Sequence, residues 1–421
     1  MDKFVIAGGK TLKGEINISG AKNASLALMP AAMLAGGTSI LNNTPELNDV
    51  YTMMKLLNYL GVKTEFNNHI LKLNAGHIES QTAPYEHVKK MRASVYVLGP
   101  LLTRFGYAKV SLPGGCAWGP RPINLHLEGL KKMGAEIDLT EGYIVAKAKR
   151  LVGTGIYFDI SSVGATGNIL MAAVLAKGTT VINNAAIEPE ITNLAEFLIK
   201  MGAKIEGLNT PTLTVEGVDE LKPAEINTIY DRIEAGTMLI AAAITKGKIV
   251  LKNISPRFIN SIISKLEDSG CIFSYNGDLI AMDAAKDAIK PVDITTSVFP
   301  GFPTDMQAQW AAYMSLADGV SNVTDTIYTD RFKHVPELNR LGADIHITEN
   351  SAIIKGVKML VGAKVMSTDL RASASLVLAG LAAEGVTEVL RVYHLDRGYE
   401  KLEKKLSTLS ADIQRVSTPE F

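Results

Sequence analysis

Residues 112–125 hold a thiol and a guanidinium in one loop-like stretch, the groups in the chain best suited to react. Cys116 follows two glycines, and Arg121 stands between two prolines. Glycine lets a loop move and approach a ligand closely, while the prolines hold Arg121 in an extended segment. A buried structural cysteine prefers apolar neighbours, which Cys116 lacks. The pattern favours a flap that carries a reactive thiol; the alternative is a surface hairpin whose cysteine has no role.

A second group of polar residues stands where long apolar helices are predicted to begin. These positions are Lys22-Asn23, Arg92-Ala93-Ser94, Ser162-Val163-Gly164, Asp231-Arg232, Thr304-Asp305 and Asp369-Leu370-Arg371. A helix start exposes N–H groups and the positive end of the helix dipole, so several starts facing one cleft would bind an anion. The alternative for Ser162, Asp231 and Thr304 is simple N-capping.

Capping does not explain the cations among these residues. The helix dipole disfavours a positive charge at a helix start. Lys22, Arg92 and Arg371 therefore indicate an anionic ligand that offsets this cost.

A third recurrent position is the loop that follows a glycine and the β-branched strand directly after it. It holds the Cys116 flap, Glu188-Pro189-Glu190, Asp330-Arg331 and Asp396-Arg397. Arginine suits phosphate and carboxylate, because its planar fork donates two parallel hydrogen bonds. For Arg331 and Arg397 taken singly, the alternative is a surface ion pair. The common phosphate-loop and dinucleotide motifs do not occur in the sequence.

All three positions belong to a pattern that repeats six times with a period of roughly 70 residues. Glycines that precede β-branched runs mark it at Gly37, Gly106, Gly178, Gly247, Gly319 and Gly385. A second series ends the amphipathic helices, at Gly61, Gly134, Gly202, Gly270, Gly342 and the degenerate Ser410. Each repeat reads helix, strand, helix and short strands. In the second repeat the helix covers 125–133, and the strands cover 136–139, 143–146 and 156–158.

The sixth repeat stops short, which predicts how the domains are divided. Strand-like residues 4–6 and 15–18 precede the first helix and belong to no earlier repeat. We expect both to complete the last repeat. One domain then comprises residues 1–21 and 230–421, and the other comprises 22–229, with three repeats each. Crossings near Gly20 and Tyr230 would form a hinge, and the active site would lie between the halves.

Composition excludes several classes of protein. The chain has 421 residues, 47% hydrophobic and 20% charged, with a formal net charge of zero. This balance does not favour broad binding to nucleic acid or to an anionic membrane. The longest apolar runs are too short to span a bilayer, the N-terminus has no apolar signal region, and two cysteines form neither a disulfide framework nor a zinc site. We expect a cytoplasmic globular protein without a metal.

Five motifs in order resemble the UDP-N-acetylglucosamine 1-carboxyvinyltransferases of the enolpyruvyl transferase family, along the whole chain. They are Lys22-Asn23, the Pro-Gly-Gly-Cys flap, the run from Phe302 to Gln309, the run from Asp369 to Ser373, and the run from His394 to Tyr399. The resemblance implies an α/β fold, a two-domain inside-out barrel with three repeats per domain. It also implies transfer of the enolpyruvyl group of phosphoenolpyruvate to the 3′-hydroxyl of UDP-N-acetylglucosamine. Phosphate is released through a tetrahedral intermediate, in the first committed step of peptidoglycan and cell-wall synthesis.

The resemblance assigns the reacting groups. Cys116 is implied as the general acid that protonates the methylene carbon of phosphoenolpyruvate, as a residue that can add to it covalently, and as the site of alkylation by fosfomycin. Asp305 is implied as the base for the sugar hydroxyl, and Lys22 and Arg397 as further catalytic residues. The implied phosphoenolpyruvate contacts are Lys22, Asn23, Arg121, Arg331, Asp369, Arg371 and Arg397, with Lys22, Arg121 and Arg397 on the phosphate.

The sugar nucleotide has its own implied contacts, and this sequence departs from the family at two places near them. The contacts are Asn23, Arg92, Arg121, Pro122, Ile123, Asn124, Leu125, Ser162, Val163, Gly164, Asp305 and Ile327. Family members often carry an acidic residue at the position of Asn124 and a lysine at that of Ile160. The resemblance further implies flap closure over the nucleotide, no cofactor, and no nucleic-acid or membrane partner; we expect a monomer.

Two other functions share these features in part. A related enolpyruvyl transferase acts on shikimate 3-phosphate with the same fold and donor, but it lacks a thiol flap. A catalytically silent paralogue that binds the nucleotide and regulates cell-wall flux is the alternative from another class. Such a copy should have lost at least one of Cys116, Asp305, Lys22 and Arg397, and all four are present.

Overall fold

The computed structural model describes residues 2–89, 91–112 and 123–417. The strands are β1 (Asp2–Ala7), β2 (Lys13–Asn17), β3 (Thr38–Asn42), β4 (Lys63–Asn67), β5 (Ile70–Asn74), β6 (Thr82–Ala83), β7 (Tyr107–Ser111), β8 (Glu136–Thr140), β9 (Tyr143–Lys147), β10 (Gly155–Tyr157), β11 (Thr179–Asn183), β12 (Lys204–Glu206), β13 (Thr212–Glu216), β14 (Glu225–Asn227), β15 (Lys248–Lys252), β16 (Ile272–Asn276), β17 (Leu279–Asp283), β18 (Ile294–Thr295), β19 (Val320–Thr324), β20 (Asp344–Thr348), β21 (Ser351–Lys355), β22 (Lys364–Met366), β23 (Val386–Leu390) and β24 (Asp412–Ser417).

The α-helices of the described residues alternate with these strands. They are α1 (Lys22–Ala31), α2 (Asn48–Leu60), α3 (Tyr85–Val88), α4 (Leu98–Phe105), α5 (Asn124–Lys132), α6 (Val163–Ala173), α7 (Pro189–Lys200), α8 (Arg232–Ile244), α9 (Asn260–Asp268), α10 (Gln307–Met314), α11 (Val335–Arg340), α12 (Leu370–Ala382) and α13 (Leu402–Thr408). Short 3-10 helices cover Ala32–Leu34, Arg92–Val97, Pro256–Phe258, Thr304–Met306 and Val392–Arg397.

The strands in the described part of the chain form six four-stranded sheets with one common order. In each sheet the first two strands are parallel, and the later neighbours are antiparallel. The orders are β14-β3-β5-β4, β6-β7-β9-β8, β10-β11-β13-β12, β2-β15-β17-β16, β18-β19-β21-β20 and β22-β23-β1-β24. The predicted sixfold repeat is confirmed.

The third repeat shows how one such sheet is built. Helix α6 connects β10 to its parallel neighbour β11, in register Ile156↔Ile182. Parallel neighbours need this kind of crossover, because a tight turn can join only antiparallel strands. Helix α7 then leads to the antiparallel pair β12 and β13.

The second glycine series marks left-handed turns of the backbone. Gly61, the αL cap of α2, has φ 106°, and the other five members of the second series also have positive φ. The degenerate member, Ser410, keeps this geometry with φ 76°. Left-handed backbone suits glycine because it has no Cβ, and this explains why glycine recurs at the end of each amphipathic helix.

The N-terminal strands follow the prediction only in part. Strand β1 joins β23 and β24 and so completes the sixth sheet, as expected. The prediction for residues 15–18 is wrong, because β2 pairs in parallel with β15, in register Ile16↔Leu251. In the sixth sheet β1 already fills the open position and β22 holds the parallel edge. Likewise β10, which we placed in the second repeat, belongs to the third sheet.

The apolar helices are buried, and the sheets keep one face towards solvent. In α12 every residue from Leu370 to Leu381 is buried, and α8 is buried from Ile233 to Ile244. A helix that is apolar all round must be packed on all sides. Strands such as β13 alternate between buried and accessible residues, with Leu213 and Val215 facing the core. The arrangement places helices inside and sheets outside.

Contacts divide the chain into two compact units. The continuous unit runs from Gly20 to Ile229, and the discontinuous unit combines the N-terminal segment up to Ser19 with the chain from Tyr230 onwards. Each unit has its own apolar core. No helix in the described ranges is long and apolar enough to cross a membrane.

Candidate active site

Asp305 is the centre of the candidate site in the discontinuous unit. It lies in the 3-10 helix Thr304–Met306, directly before α10. Its Oδ1 is 2.8 Å from Nη1 of Arg331, and its Oδ2 is 2.9 Å from Nη2 of Arg371. The side chain of Asp305 is 26% exposed, whereas those of Arg331 and Arg371 are 8% and 3% exposed. A carboxylate with one accessible face is therefore held by two buried cations.

The charge on Arg371 is stabilised by its surroundings. Burial by itself would lower the pKa of the guanidinium, but the negative charges of Asp305 and Asp231 and the electrostatic effect of the Tyr399 side chain outweigh burial and raise the pKa. The guanidinium carbon also lies 5.3 Å from the centre of the Tyr399 ring, within the range of a cation–π contact. Arg371 thus stays charged beside Asp305.

Arg331 is positioned by a separate chain of buried polar groups. Its Nη1 donates to Thr304 Oγ1 at 3.1 Å, and Thr304 Oγ1 donates to Asp325 Oδ2 at 2.7 Å. The other oxygen of Asp325 accepts from the backbone N–H of Ile327 at 3.0 Å. This carboxylate therefore fixes the loop that carries both Ile327 and Arg331.

Two sequence alternatives for this region are wrong. The side chain of Thr304 bonds to Asp325 and Arg331, so it is not a simple N-cap; Pro303 occupies the capping position and provides no side-chain bond. Arg331 is buried and paired with Asp305, so it is not a surface ion pair. Ser162 and Asp231, in contrast, do cap α6 and α8 with their side chains.

Asp369 and Arg397 both act on the charge of His394 in this unit. Asp369 caps α12 by accepting from the N–H of Arg371 at 2.9 Å. Burial and the charges of Arg397 and Arg391 lower the pKa of His394, whereas the charge of Asp369 acts to raise it. The neighbouring Asp396 pairs instead with Arg415, at 2.6 Å. Asp396 therefore stabilises the fold, and the half-buried Arg397 is the candidate functional residue of this motif.

The two C-terminal motifs pack directly against each other. A Cβ on Gly398 would lie 2.6 Å from Cδ2 of Leu370. A side chain at this position would force the side chain of Leu370 to move, since real Cβ contacts are not that short. The glycine between Arg397 and Tyr399 thereby brings its segment against the start of α12.

Lys22 is the first residue of α1 in the continuous unit. Nζ of Lys22 lies 3.2 Å from Oδ2 of Asp49, in the first turn of α2. The side chains are 14% and 5% exposed. Helix α1 has no side-chain cap and no acidic residue in its first turn, so Asp49 supplies negative charge from another element. Asn23 follows Lys22 and is half-buried.

Arg92 begins a 3-10 helix, not an α-helix as predicted, and its charge acts on the buried His126. Burial and the charge of Arg92 lower the pKa of His126 to about 4. Nδ1 of His126 lies 3.1 Å from Nδ2 of Asn168. An amide nitrogen can only donate, so Nδ1 accepts and the imidazole proton is on Nε2. A Cβ on Gly164 would lie 3.1 Å from that nitrogen. His126 is therefore a neutral group between two predicted nucleotide contacts.

The remaining predicted nucleotide residues in the described ranges lie on the surface or at its edge. Ile123 and Leu125 are half-buried and pack against the core, and Asn124, the first residue of α5, is exposed. Ile160 is 71% exposed. Both positions of departure from the family are thus open to solvent. The predicted Cys116, Arg121 and Pro122 lie outside the described residues.

Sequence reasoning missed several residues that support the site. They are Asp49, His126, Asp325 and the hydroxyl of Tyr399. One signal was available for Asp49, which stands twelve residues after Gly37. Glu190, Arg331 and Arg397 stand at the same distance from the equivalent glycines Gly178, Gly319 and Gly385. No cluster of His, Cys, Asp or Glu suited to a metal occurs among the residues that the structure describes.

Comparisons with known proteins agree with this architecture. Residues 6–406 match the family EPSP synthase (3-phosphoshikimate 1-carboxyvinyltransferase). A UDP-N-acetylglucosamine 1-carboxyvinyltransferase from Chloroherpeton thalassium is 58% identical, over 100% of this chain and 99% of the relative. A protein of the same name from Chlorobium limicola is 55% identical over 100% of both chains.

Solved structures share the fold at lower sequence identity. The enolpyruvyl transferase NikO from Streptomyces tendae superimposes with a TM-score of 0.89 at 24% identity, covering 99% of each chain. EPSP synthase from Acinetobacter baumannii gives 0.77 at 19% identity, covering 99% of this chain and 100% of the other. At these identities the likeness is one of fold, and it confirms the predicted fold class.

Proposed function

The chain belongs to the EPSP synthase family of enolpyruvyl transferases, and from this premise we propose that it is a UDP-N-acetylglucosamine 1-carboxyvinyltransferase. It transfers the enolpyruvyl group of phosphoenolpyruvate to the 3′-hydroxyl of UDP-N-acetylglucosamine and releases phosphate. The full-length relatives that carry this name support the assignment. The product is committed to peptidoglycan, and so to cell-wall formation, cell shape and division.

The observation that carries the proposal is the placement of Asp305 between Arg331 and Arg371. A sugar hydroxyl is a weak nucleophile, so a base must take its proton as it attacks. Oδ1 of Asp305 accepts from Arg331 and Oδ2 accepts from Arg371, so both oxygens are held in a fixed orientation. Asp305 is accessible enough to receive the proton, and the two guanidinium groups provide positive charge beside it for an anionic donor.

The donor carries a phosphate and a carboxylate, and we propose that cations bind both. Lys22, Arg121 and Arg397 bind the phosphate. Arg331 and Arg371, with Asn23 and Asp369, complete the phosphoenolpyruvate contacts. The buried pair that Lys22 forms with Asp49 supports its part in this role, because it fixes the ammonium at the helix start.

Cys116 is proposed as the acid in the first half of the reaction. Its proton goes to the methylene carbon of the donor, and the adjacent carbon becomes electrophilic for attack by the sugar oxygen. Loss of phosphate and of a methylene proton from the tetrahedral intermediate then restores the double bond. The same thiol can form a covalent adduct with phosphoenolpyruvate, and we propose that fosfomycin alkylates it.

The nucleotide contacts are proposed for a fixed set of residues: Asn23, Arg92, Arg121, Pro122, Ile123, Asn124, Leu125, Ser162, Val163, Gly164, Asp305 and Ile327. The backbone at the start of α6 supports this set, since Ser162 caps the helix and Tyr96 donates to the carbonyl of Val163 at 3.3 Å.

We propose that the protein acts in the cytoplasm, because its substrates are cytoplasmic metabolites. We also propose that it is a monomer. Acid–base groups and cations suffice for the chemistry, so no cofactor is proposed.

The test is a phosphate-release assay with purified protein, UDP-N-acetylglucosamine and phosphoenolpyruvate. We expect release that depends on both substrates, and no release when shikimate 3-phosphate replaces the nucleotide. Cys116→Ser should lower kcat by roughly 100-fold while the Kd for the nucleotide changes little. Nucleotide binding without turnover in the wild type would support a regulatory protein instead.

A further inference from the structure

A network of buried polar side chains lies behind Asp305, and nothing in the proposed reaction uses it. It joins Thr237 on α8, Gln309 on α10 and Tyr399, which follows the 3-10 helix Val392–Arg397. All three side chains belong to residues that are at most 1% exposed. Buried polar groups of this kind give a unique arrangement when their hydrogen bonds are satisfied.

The direction of the hydrogen bonds in this network can be assigned. Oγ1 of Thr237 donates its single proton to the carbonyl of Ile233, 2.7 Å away. The 2.9 Å contact between Thr237 Oγ1 and the Tyr399 hydroxyl must therefore have the phenol as its donor. The phenol oxygen is left with lone pairs to accept other bonds. Tyr399 is thus fixed at its hydroxyl by α8.

Gln309 connects the phenol to the main chain of Asp305. Its Nε2 donates to the carbonyl oxygen of Asp305 at 2.9 Å and lies 3.2 Å from the Tyr399 hydroxyl. An amide nitrogen has two protons, so it can serve both acceptors. The backbone of Asp305 is therefore tied to the same hydroxyl.

Arg371 connects the ring of Tyr399 to the side chain of Asp305. The guanidinium lies over the ring at 5.3 Å and binds Asp305 Oδ2 through Nη2 at 2.9 Å. Its Nη1 has no hydrogen-bond partner in the described part of the chain. The orientation of this buried cation therefore depends on few contacts, of which the ring and Asp305 are two.

We propose that Tyr399, fixed by Thr237, is a positioning residue that orients Arg371 and thereby aims the Asp305 carboxylate at the acceptor hydroxyl. This inference rests on the proposed function, in which Asp305 is the base. Tyr399 acts on the base in two ways, through the main chain by Gln309 and through the carboxylate by Arg371. It does not touch the substrate.

The experiment compares Tyr399→Phe, which removes the hydroxyl and keeps the ring, with Thr237→Val, which removes the hydroxyl and keeps the shape of the threonine side chain. Each should lower kcat by about tenfold and leave the KM for UDP-N-acetylglucosamine within about twofold. The double variant should lose no more than Tyr399→Phe alone, because the hydrogen bond between the two side chains is already absent in that single variant. The acid limb of the kcat–pH profile should move to higher pH, since Asp305 is less stabilised as an anion when Arg371 is displaced.

A matched control separates positioning from simple stability. Tyr313→Phe removes another buried hydroxyl of the same unit, one that bonds to Ser269 at 2.9 Å. It should lower the melting temperature without changing kcat or the acid limb. The proposal is overturned when Tyr399→Phe and Thr237→Val behave like this control, or when their losses in kcat add.

A readout that is independent of turnover distinguishes this inference from the proposed function. In a crystal structure of Tyr399→Phe, the distance from Arg371 Nη2 to Asp305 Oδ2 should exceed about 3.5 Å, the limit of a hydrogen bond. An unchanged distance contradicts the inference. Failure of the wild type to turn over both substrates would instead contradict the proposed function and leave this measurement valid.

Discussion

The candidate site residues of the two compact units use opposite arrangements of charge. In the continuous unit the cation Lys22 is more exposed than the carboxylate of Asp49 that holds it. In the discontinuous unit the carboxylate of Asp305 is more exposed than the guanidinium groups of Arg331 and Arg371. In the first pair the more accessible Lys22 has the proposed chemical role, and the buried Asp49 fixes it in place. In the second group the more accessible Asp305 is the proposed base, and the two buried arginines fix it in place besides their proposed contacts with the donor.

The two arrangements differ in the net charge that each unit offers to a substrate. One lysine paired with one carboxylate has no net charge, and its ammonium is the group that we propose donates to a phosphate. One carboxylate on two arginines has a net positive charge, which suits a base that works next to an anion. Burial of the supporting partner matters because a pair in a low-dielectric environment resists screening by salt.

The largest expected effect is that of replacing the accessible carboxylate. Asp305→Asn keeps the size and the hydrogen-bonding oxygen but cannot accept the proton, so kcat should fall by roughly 1,000-fold. The Kd for UDP-N-acetylglucosamine, measured by calorimetry, should change by less than about threefold. Asp318→Asn, an exposed change in the same unit, is the control. Turnover above a tenth of the wild-type rate would show that another group is the base.

A smaller effect is expected for the buried acid of the other pair. Asp49→Asn leaves Lys22 in place without its counter-charge, so the KM for phosphoenolpyruvate should rise about tenfold. Lys22→Ala, which removes the cation itself, should raise it by about 100-fold. Asp138→Asn, on an exposed position of β8, is the matched control. If Asp49→Asn and Asp138→Asn change the KM for phosphoenolpyruvate equally, Asp49 does not support Lys22 as we propose.

The smallest effect concerns a histidine in each unit. Burial and Arg92 lower the pKa of His126 to about 4, and burial and Arg331 lower that of His334 to about 3. The unfolded chain, with an ordinary pKa near 6.5, takes up protons first as the pH falls. The folded protein should therefore lose about 1 kcal/mol of stability per histidine between pH 7.5 and 5.5, and nothing above pH 7.5.

Urea unfolding midpoints at these two pH values measure the effect. His126→Asn and His334→Asn should each reduce the pH dependence, because the new side chain does not titrate. The asparagine oxygen can still accept the bond from Asn168 in the first variant. The same pH dependence in wild type and in both variants would exclude these histidines as its cause.

Much of the fold could be predicted from the period of the sequence. Glycines with a fixed backbone requirement recur at fixed distances, and these marks located the repeats, the helices and the sheets. The pairing partners of the strands could not be predicted in the same way. The pattern of β2 is that of any half-buried strand, and which sheet it joins depends on a neighbour more than 200 residues away, β15. The local sequence of β2 does not indicate which sheet the strand joins.

The candidate site was predictable to the same extent. Lys22 and Arg371 stand out because the helix dipole disfavours a positive charge at a helix start, and Asp305 was identified through the family resemblance. Their supports do not stand out, since Asp49 and Asp325 resemble surface acids in the sequence and Tyr399 resembles a core aromatic. Only the structure shows that they are buried. The twelve-residue distance from glycine to Asp49 was the one local signal that sequence reasoning could have used.

The position of β1 in the sixth sheet has a consequence for how the protein is made on the ribosome. Its neighbours β23 and β24 are synthesised long after it, so β1 must wait for them before it can pair. The continuous unit has all of its strands once residue 229 is complete, and the N–H of Ala21 already meets the carbonyl of Ile229 at 2.6 Å. Domains generally fold as units during synthesis. Folding therefore begins in the middle of the polypeptide, and the order of translation is not the order of assembly.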